Sequence, residues 1–249
     1  MADNWVFGIH AVYSAIESRT RSVEVLYIQK GRDDRKLKTI LIVANSHKVP
    51  VRVRSKHEMD KLVTGNHQGV AAKLLAARQR SEGDLEEIVQ ALNAKNEPAL
   101  FLILDAVTDP HNLGACIRTA NGAGVHAVIF PKDKSAHLNA TVRKVACGAA
   151  EFTPVIAVTN LARTMKWLQQ CGIWLVGAAA EADNVQFDVS LTGPLAIVMG
   201  SEGKGLRRLT RENCDVLARI PMSGQVDSLN VSVATGVFLY EAVRQRTTG

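Results

Sequence analysis

The sequence has few of the patterns that mark metal sites, disulfide frameworks or exported proteins. Its four cysteines, at positions 116, 147, 171 and 214, stand far apart and form no C-x-x-C pair, which argues against a structural zinc site or a disulfide framework. The seven histidines show no H-x-x-x-H or H-E-x-x-H spacing. We therefore expect no protein-bound catalytic metal.

Long apolar runs are missing as well. No segment approaches the roughly 18 to 20 uninterrupted apolar residues of a membrane span, so we expect no membrane partner. Residues 1–16 lack the basic region and apolar stretch of an export signal, and a cytoplasmic location is expected. Hydrophobic residues at 47% and charged residues at 22% are ordinary for a globular protein, and 249 residues suit two domains.

The net charge of +6 is unevenly distributed along the chain. Residues 1–75 carry 13 Lys and Arg against 7 Asp and Glu, whereas residues 76–249 carry 17 of each. A surface that meets phosphate would explain this excess, and so would a solvated basic face without a partner. The candidate phosphate contacts in this part of the chain are Lys30, Arg32, Arg35, Arg52 and Arg54.

Strand and helix patterns alternate along the chain, which predicts an α/β fold. Strands are predicted at 23–29, 49–53 and 68–75, and a helix at 35–48, so residues 1–75 form a small α/β domain. Residues 76–97 are polar and charged and predict a linker with one short helix behind a possible Asp84 cap.

Residues 98–249 form a second, longer domain. Six apolar runs bounded by turn residues predict a mostly parallel sheet with helices on both faces. These runs span residues 99–107, 126–131, 153–158, 172–180, 195–200 and 216–221. Between them, Thr159 could cap a helix, and a final helix is expected over about 230–246.

Three segments carry residues suited to chemistry. In LDAVTDPHNLGACIRTA, residues 104–120, a strand leads through a loop into a helix that begins near Asn112, and such a helix start suits an anion. Taken alone, Asn112 is as well explained as a helix cap, and Arg118 as a surface cation.

The second segment, LAIVMGSEGKGL at 195–206, runs from a buried strand into three glycines whose backbone can approach a ligand closely. It matches neither the phosphate-loop nor the dinucleotide pattern, which weakens a kinase or an NAD-dependent dehydrogenase interpretation. In the third segment, RIPMSGQVDSLNVSVATG at 219–236, Ser228 and Asn230 stand before the last helix, where either could be a simple cap.

In this order and spacing, the three segments resemble the signature motifs of the SpoU family of RNA 2′-O-ribose methyltransferases, within the SPOUT superfamily. The resemblance covers essentially the whole chain and includes residues 137–155. It implies a deep trefoil knot in the C-terminal sheet, which composition does not indicate, and a ribosomal-protein-like RNA-binding domain at the N-terminus.

The implied activity is S-adenosylmethionine-dependent 2′-O-methylation, and the details of the match indicate a guanosine of 23S rRNA. Another rRNA or tRNA nucleotide, or a noncatalytic RNA-binding role, are the alternatives. The implied partners are 23S rRNA or an assembling large ribosomal subunit, and a second copy of the chain in a homodimer.

The resemblance also implies the roles of individual residues. Arg118 is expected at the attacking hydroxyl, as a stabiliser of the developing alkoxide, with a phosphate or water as an open alternative for proton acceptance. The positions expected to orient substrate are Asn112, Glu202, Ser228 and Asn230. Those expected around S-adenosylmethionine are Ala178, Ala179, Gly200, Ile220, Met222 and Leu229. Arg143 and Lys144 join the basic residues of the first domain as expected RNA contacts.

Overall fold

The computed structural model describes residues 5–17, 23–74 and 80–248 and divides the chain into a first unit, residues 1–78, and a second unit, residues 79–249. The elements of the first unit are β1 (Trp5–Phe7), α1 (Ile9–Glu17), β2 (Val23–Gln29), α2 (Arg35–Ser46), β3 (Val51–Arg54), α3 (Lys56–Leu62) and β4 (Val70–Leu74). The elements of the second unit are α4 (Glu82–Ala94), β5 (Leu100–Leu104), α5 (Pro110–Gly122), β6 (Ala127–Pro131), α6 (Ala140–Val145), α7 (Ala149–Phe152), β7 (Val155–Val158), α8 (Leu161–Gln170), β8 (Trp174–Ala178), β9 (Asn184–Val185), β10 (Leu195–Met199), α9 (Arg208–Glu212), β11 (Val216–Arg219) and α10 (Val231–Thr248). Within the described ranges, no helix combines the length and the apolar character that a membrane span requires.

The first unit is a four-stranded sheet with helices on both faces. Its strand order is β1-β4-β2-β3, with β4 antiparallel to both neighbours and β3 parallel to β2. Because side chains alternate along a strand, Leu26 packs with Leu37 of α2 on one face and Tyr27 packs with Met59 of α3 on the other. The predicted strands and helix of this unit are confirmed, although residue 75 lies outside the described residues.

The second unit is a seven-stranded sheet in which every paired strand is parallel to its neighbour. The order is β7-β6-β5-β10-β8-β11-β9. Strands β5, β6 and β10 are buried along their whole length, because α5 and α10 contribute to the core on one face and α4 and α8 to the core on the other. The predicted α/β fold with a mostly parallel sheet is confirmed.

Helix α4 lies in residues 76–97, for which a linker with one short helix was predicted, and the helix is confirmed. It has 13 residues, and Leu85, Val89 and Leu92 are buried in the core of the second unit. These apolar residues follow the helical i, i+4, i+7 spacing, but the charged residues between them gave the segment a linker-like composition. The part of this segment that the structure describes is therefore a packed element and not a linker.

Three helices begin at residues other than the predicted caps. The residues that cap α4, α5 and α8 are Ser81, Asp109 and Asn160, where the sequence suggested Asp84, Asn112 and Thr159. The Asp109 carboxylate accepts the backbone N–H of His111 at 3.0 Å, and Pro110 follows it as the first helical residue. Asn112 is thus free of a capping role.

The order of the strands determines which loops meet. Strand β10 lies between β5 and β8, and the chain then crosses to the other side of β8 to form β11. The loops that leave the carboxyl ends of β8, β10 and β11 are therefore neighbours. This order is compatible with the trefoil knot that the family resemblance implies, and the knot itself stays a prediction.

Candidate active site

Three neighbouring loops of the second unit line a cavity of about 510 Å³. They comprise residues 178–181, 200–206 and 220–230, and they follow β8, β10 and β11. The volume lies within the range of about 300 to 1,000 Å³ that is typical of small-molecule sites. Apolar side chains such as Ile220 and charged ones such as Glu202 share its wall. The cavity thus suits a ligand with apolar and charged parts.

Gly200 directly follows β10, where the loop that leaves the strand folds back against the strand end. A Cβ atom at this position would collide with the backbone of Gly205 and Leu206. The chain turns back here because Ser201 and Gly205 exchange two backbone hydrogen bonds, of 3.1 and 2.9 Å. Only glycine permits this approach, which brings backbone groups to the cavity wall.

A buried ion pair holds the far end of the same loop. The carboxylate of Asp105, fully buried after β5, accepts the backbone N–H of Arg207 at 3.0 Å and its Nε–H at 2.6 Å. The Arg207 side chain is 42% exposed, so water solvates the cation but not the carboxylate. Because the two hydrogen bonds engage both carboxylate oxygens, they fix the direction of the carboxylate as well as its distance. The pair therefore ties the glycine loop to the end of β5.

Asn230 joins the three motif segments through one side chain. Its Nδ2 donates to Oδ1 of Asn112 at 3.0 Å and to a carboxylate oxygen of Glu202. Its Oδ1 accepts the backbone N–H and the hydroxyl of Ser232, at 2.9 and 2.6 Å, which fixes the orientation of the amide. Glu202 also accepts the N–H of Val231 at 3.4 Å. Asn112, 118 positions before Asn230, and Glu202, 28 positions before it, are thus brought together.

Helix α5 places Asn112 and Arg118 in different surroundings. Asn112 is buried, whereas Arg118 is exposed and its Nη1 lies 3.5 Å from Sγ of Cys147. Cys147 and Gly148 both have positive φ, of 50° and 89°, in the turn between α6 and α7. That turn presents the thiol to the arginine. Neither Asn112 nor Arg118 is among the described residues that line the cavity.

The structure brings the predicted cofactor positions and most of the predicted substrate-orienting positions to this one cavity. The predicted cofactor positions on its wall are Ala178, Ala179, Gly200, Ile220, Met222 and Leu229. The predicted substrate-orienting positions on its wall are Glu202, Ser228 and Asn230, and Asn112 reaches it through Asn230. Sequence reasoning did not identify the Glu181–Arg211 ion pair on the wall, because its partners lie 30 residues apart.

The predicted RNA contacts occupy several settings. Those with exposed side chains are Lys30, Arg35, Arg52 and Lys144. Arg54 lies over an aromatic ring of β2, 5.7 Å from its centroid. Three of these residues form ion pairs in the described part of the chain, Arg32 with Asp34, Arg54 with Glu58 and Arg143 with Glu151. Because its carboxylate partner at 2.7 Å offsets its charge, Arg143 is less suited to bind phosphate than the prediction assumed.

Two cysteines near the site are packing groups. Burial raises the pKa of the Cys116 thiol to about 11, and Cys116 lies 3.5 Å from the hydroxyl of Thr235. Burial, followed by the nearby carboxylates, raises the pKa of Cys214 to about 12. Both thiols are therefore protonated at neutral pH, whereas a thiolate is the reactive form of cysteine. The site does not use either of them as a nucleophile.

Comparison with known proteins extends these observations. The model of the SpoU rRNA Methylase family matches residues 99–240, and the model of the RNA 2′-O ribose methyltransferase substrate-binding domain matches residues 5–80. Proteins named 23S rRNA (guanosine-2′-O-)-methyltransferase are similar over nearly their full length. The one from Pectobacterium atrosepticum is 55% identical over 97% of this chain and 98% of its own, and the one from Escherichia coli is 53% identical over the same shares.

Solved structures agree with the sequence comparisons. The SpoU methyltransferase AviRb from Streptomyces viridochromogenes, in complex with the cofactor AdoMet, superposes with a TM-score of 0.79 at 26% identity, over 98% of this chain and 91% of its own. The TrmH/SpoU tRNA modifying enzyme from A. aeolicus matches 66% of this chain and 85% of its own at 30% identity, with a TM-score of 0.56. With its motif residues at one cavity and both parts of the chain matched, this chain belongs to the SpoU rRNA methylase family.

Proposed function

We propose that this protein uses S-adenosylmethionine to methylate the 2′-hydroxyl of a guanosine ribose in 23S rRNA. The observation that carries the proposal is the hydrogen-bonded group of Asn230, Asn112 and Glu202 at the wall of a ligand-sized cavity. The names of the most similar relatives supply the nucleotide and the RNA.

The cavity fits the cofactor by its chemistry. Ile220 and Leu229 provide apolar wall of the kind that an adenosine packs against, while Glu202 offers negative charge to a cationic ligand. Gly200 leaves backbone groups accessible where a side chain would cover them. When bound, S-adenosylmethionine supplies a methyl group already activated by the sulfonium.

The remaining task of the protein is to place the ribose and ease loss of its proton, because a hydroxyl is a poor nucleophile at neutral pH. Arg118 is exposed, so its guanidinium is accessible to RNA. In this proposal it stabilises the negative charge that develops on the 2′-oxygen. Arginine keeps its proton in proteins, so the hydroxyl proton passes to a phosphate or to water.

The substrate and the assembly form part of the same proposal. In this proposal the first unit, with its surplus of basic residues, contacts the RNA, which is either free 23S rRNA or an assembling large subunit, and the protein acts in the cytoplasm. Val233 and Tyr240, one above the other on α10, are 51% and 53% exposed and provide apolar surface for a homodimer. Sedimentation of the purified protein tests the dimer.

The decisive experiment combines the purified protein, unmodified 23S rRNA and labelled S-adenosylmethionine, followed by mapping of ribose methylation. We expect a single 2′-O-methylguanosine. Arg118→Ala should keep its cofactor affinity but lose roughly 100-fold or more in turnover, as expected when one charge-stabilising donor is removed. Arg208→Ala, which removes an exposed arginine outside the cavity lining, is the control.

Two results would contradict the proposal in different ways. Undiminished turnover by Arg118→Ala would remove that residue from the mechanism. Binding of 23S rRNA by the natural protein without any methyl transfer would instead indicate a noncatalytic RNA-binding protein.

A further inference from the structure

A second cavity, also of about 510 Å³, lies wholly within the first unit. The end of β2, the start of α3 and the loop before β4 form its walls. The side chains that matter to its chemistry are Arg32, Lys56, Asp60, Asn66, His67 and Gln68. None of these residues belongs to the three motifs or to the cofactor site, and Arg32 is among the predicted RNA contacts.

The loop at residues 65–69 is held in place before any ligand arrives. The buried ring of His67 accepts the N–H of Gly69 on Nδ1, at 2.9 Å. Since a backbone N–H can only donate, the ring proton is on Nε2, which donates to Asp60 at 2.9 Å. The contact engages Oδ1 of Asp60, the acidic side chain of this wall, which stays half exposed. A wall fixed in this way loses little entropy on binding.

The side-chain amides of the loop offer donors to this cavity. Oδ1 of Asn66 accepts the N–H of Gln68 at 3.3 Å, and Oε1 of Gln68 accepts the N–H of Ile9 at 3.1 Å. Both amide oxygens are thus engaged by backbone donors, and among the described residues neither NH2 group has an acceptor, so both can donate to a ligand. Within the described part of the chain, the ammonium of Lys56 makes no ion pair. Lys56 and Arg32 outnumber the carboxylate of Asp60 on this wall, so a negatively charged ligand rich in acceptors fits these groups.

Arg32 adds a planar group to the same wall. Its Nε–H is engaged by the carboxylate of Asp34, and its side chain lies against Gly69, where a Cβ atom would come within 2.9 Å of Nη1. The guanidinium is therefore held in a defined place, with 19% of the side chain exposed. Unpaired bases of RNA stack on such guanidinium planes.

We propose that this cavity binds one unpaired nucleotide of the RNA substrate. Lys56 and the amides of Asn66 and Gln68 contact its phosphate and base oxygens, and Arg32 supports the base. The cavity admits a single nucleotide but not a duplex, so the site selects a loop or bulge. The inference rests on the proposed function, because it assumes that the first unit contacts rRNA, and it specifies where that contact lies.

The first test removes one charge from one end of α3. The full chain and its Lys56→Ala variant are titrated with unmodified 23S rRNA at several salt concentrations. We expect the variant to bind roughly tenfold more weakly. The slope of log affinity against log salt should fall by about 0.7, as for one lost phosphate contact on a single strand. Lys61→Ala, at the other end of the same helix and outside the cavity, should keep the natural slope.

The second test replaces the NH2 donor of Asn66 and keeps the hydrogen bond that holds the loop. Asn66→Asp keeps an oxygen for the N–H of Gln68 but turns the free NH2 group into an acceptor. We expect its KM for rRNA to rise roughly tenfold with kcat and cofactor affinity unchanged. Asn45→Asp makes the same charge change on α2, away from the cavity, and measures the general effect of charge.

The outcomes separate this inference from the function on which it rests. If the natural protein methylates rRNA but both cavity variants match their controls, the cavity is not an RNA site and the methyltransferase function stands. If the natural protein binds rRNA without methylating it, the proposed function fails, while the salt slope of Lys56→Ala still decides the cavity. A fall in kcat in the cavity variants would contradict a role confined to binding.

Discussion

At the scale of single residues, Gly200 shows how closely backbone segments approach in the second unit. Its neighbours across the turn are backbone atoms of Gly205 and Leu206, which cannot rotate aside as a side chain can. Strand β10 and the glycine loop that follows it are therefore fixed relative to each other. The cavity wall depends on this one missing side chain.

Gly200→Ala should destabilise the protein by about 1 to 3 kcal/mol, as overpacking of a tight interior does, and should weaken cofactor binding with it. Urea unfolding and a cofactor titration measure the two effects. Gly193→Ala is a matched control, because a Cβ atom there has no neighbour within 4 Å and the φ angle is not positive. Equal stability of the two variants would show that the loop can move away from β10.

The motif residues could be predicted from the sequence, but the contacts between them could not. Asn112 and Asn230 each have a local explanation as a helix cap, and only the order of the three segments indicated one site. Asp105 and Arg207 lie 102 positions apart and belong to no local pattern. Their pairing depends on β10 lying next to β5, which no spacing along the chain reveals.

At the scale of elements, α4 shows how a polar segment becomes part of a core. Its first residue, Glu82, accepts the N–H of Thr159 and a guanidinium N–H of Arg163, both at 2.8 Å. These contacts, led by the N–H of Thr159, lower the pKa of Glu82 below its ordinary value of 4.5. The helix is thereby fastened to the end of β7 by a carboxylate.

This contact predicts a dependence of stability on pH. Because the pKa of Glu82 is lower in the folded state, its stabilisation is complete above pH 4.5 and is lost as the pH falls through the folded value. Glu82→Gln should lose about 1 kcal/mol or less at pH 7, since the side chain is 35% exposed, and should show a weaker decline in acid. Unfolding curves at pH 7 and below pH 4.5 measure this, with exposed Glu87→Gln of the same helix as the control.

The ion pair between β5 and the glycine loop predicts an asymmetry between its two partners. Arg207→Ala leaves a fully buried carboxylate without its cation and should destabilise the protein by about 3 to 5 kcal/mol. Asp105→Asn leaves a partly solvated arginine and an oxygen that can still accept the N–H of Arg207. It should therefore have the smaller effect. Denaturant unfolding of both variants checks the order, and the reverse order would contradict this account of the burial.

Element length decided what the sequence could predict. The apolar runs of β5, β6 and β10 are buried on both faces and were predicted without difficulty. Several short elements gave no clear pattern, among them β1, α3, α7 and β9. Helix α3 buries just Met59 among its seven residues, and a helix this short forms through its packing and not through its own propensity.

At the scale of the whole molecule, the two units have separate hydrophobic cores. Residues 79–249 alone should fold, and their cofactor affinity should lie within about twofold of that of the full chain. Their KM for 23S rRNA should rise by roughly tenfold or more, because the basic first unit is missing. Calorimetry and methylation assays on both proteins test this. Full activity without residues 1–78 would contradict the recognition role of the first unit.

The architecture of the second unit was predictable only in part. Alternating apolar runs and helices indicate a parallel sheet, and the structure confirms one. Strand β10 lies between β5 and β8, which both precede it in the sequence. The apolar runs could not predict this position, because elements adjacent in sequence are usually adjacent in space. The knot came from the family resemblance alone, and it stays a prediction.

The hydrogen bonds of Asn230 have a consequence for how the protein is made. Asn112 is synthesised 118 residues before Asn230, whose amide binds it. The hydrogen-bonded group of Asn112, Glu202 and Asn230 is therefore incomplete during most of the synthesis of the chain. A product that stops short of residue 230 would still contain the whole first unit and its cavity. If the first unit binds rRNA as proposed, such a truncated polypeptide would compete with the intact protein for rRNA without modifying it.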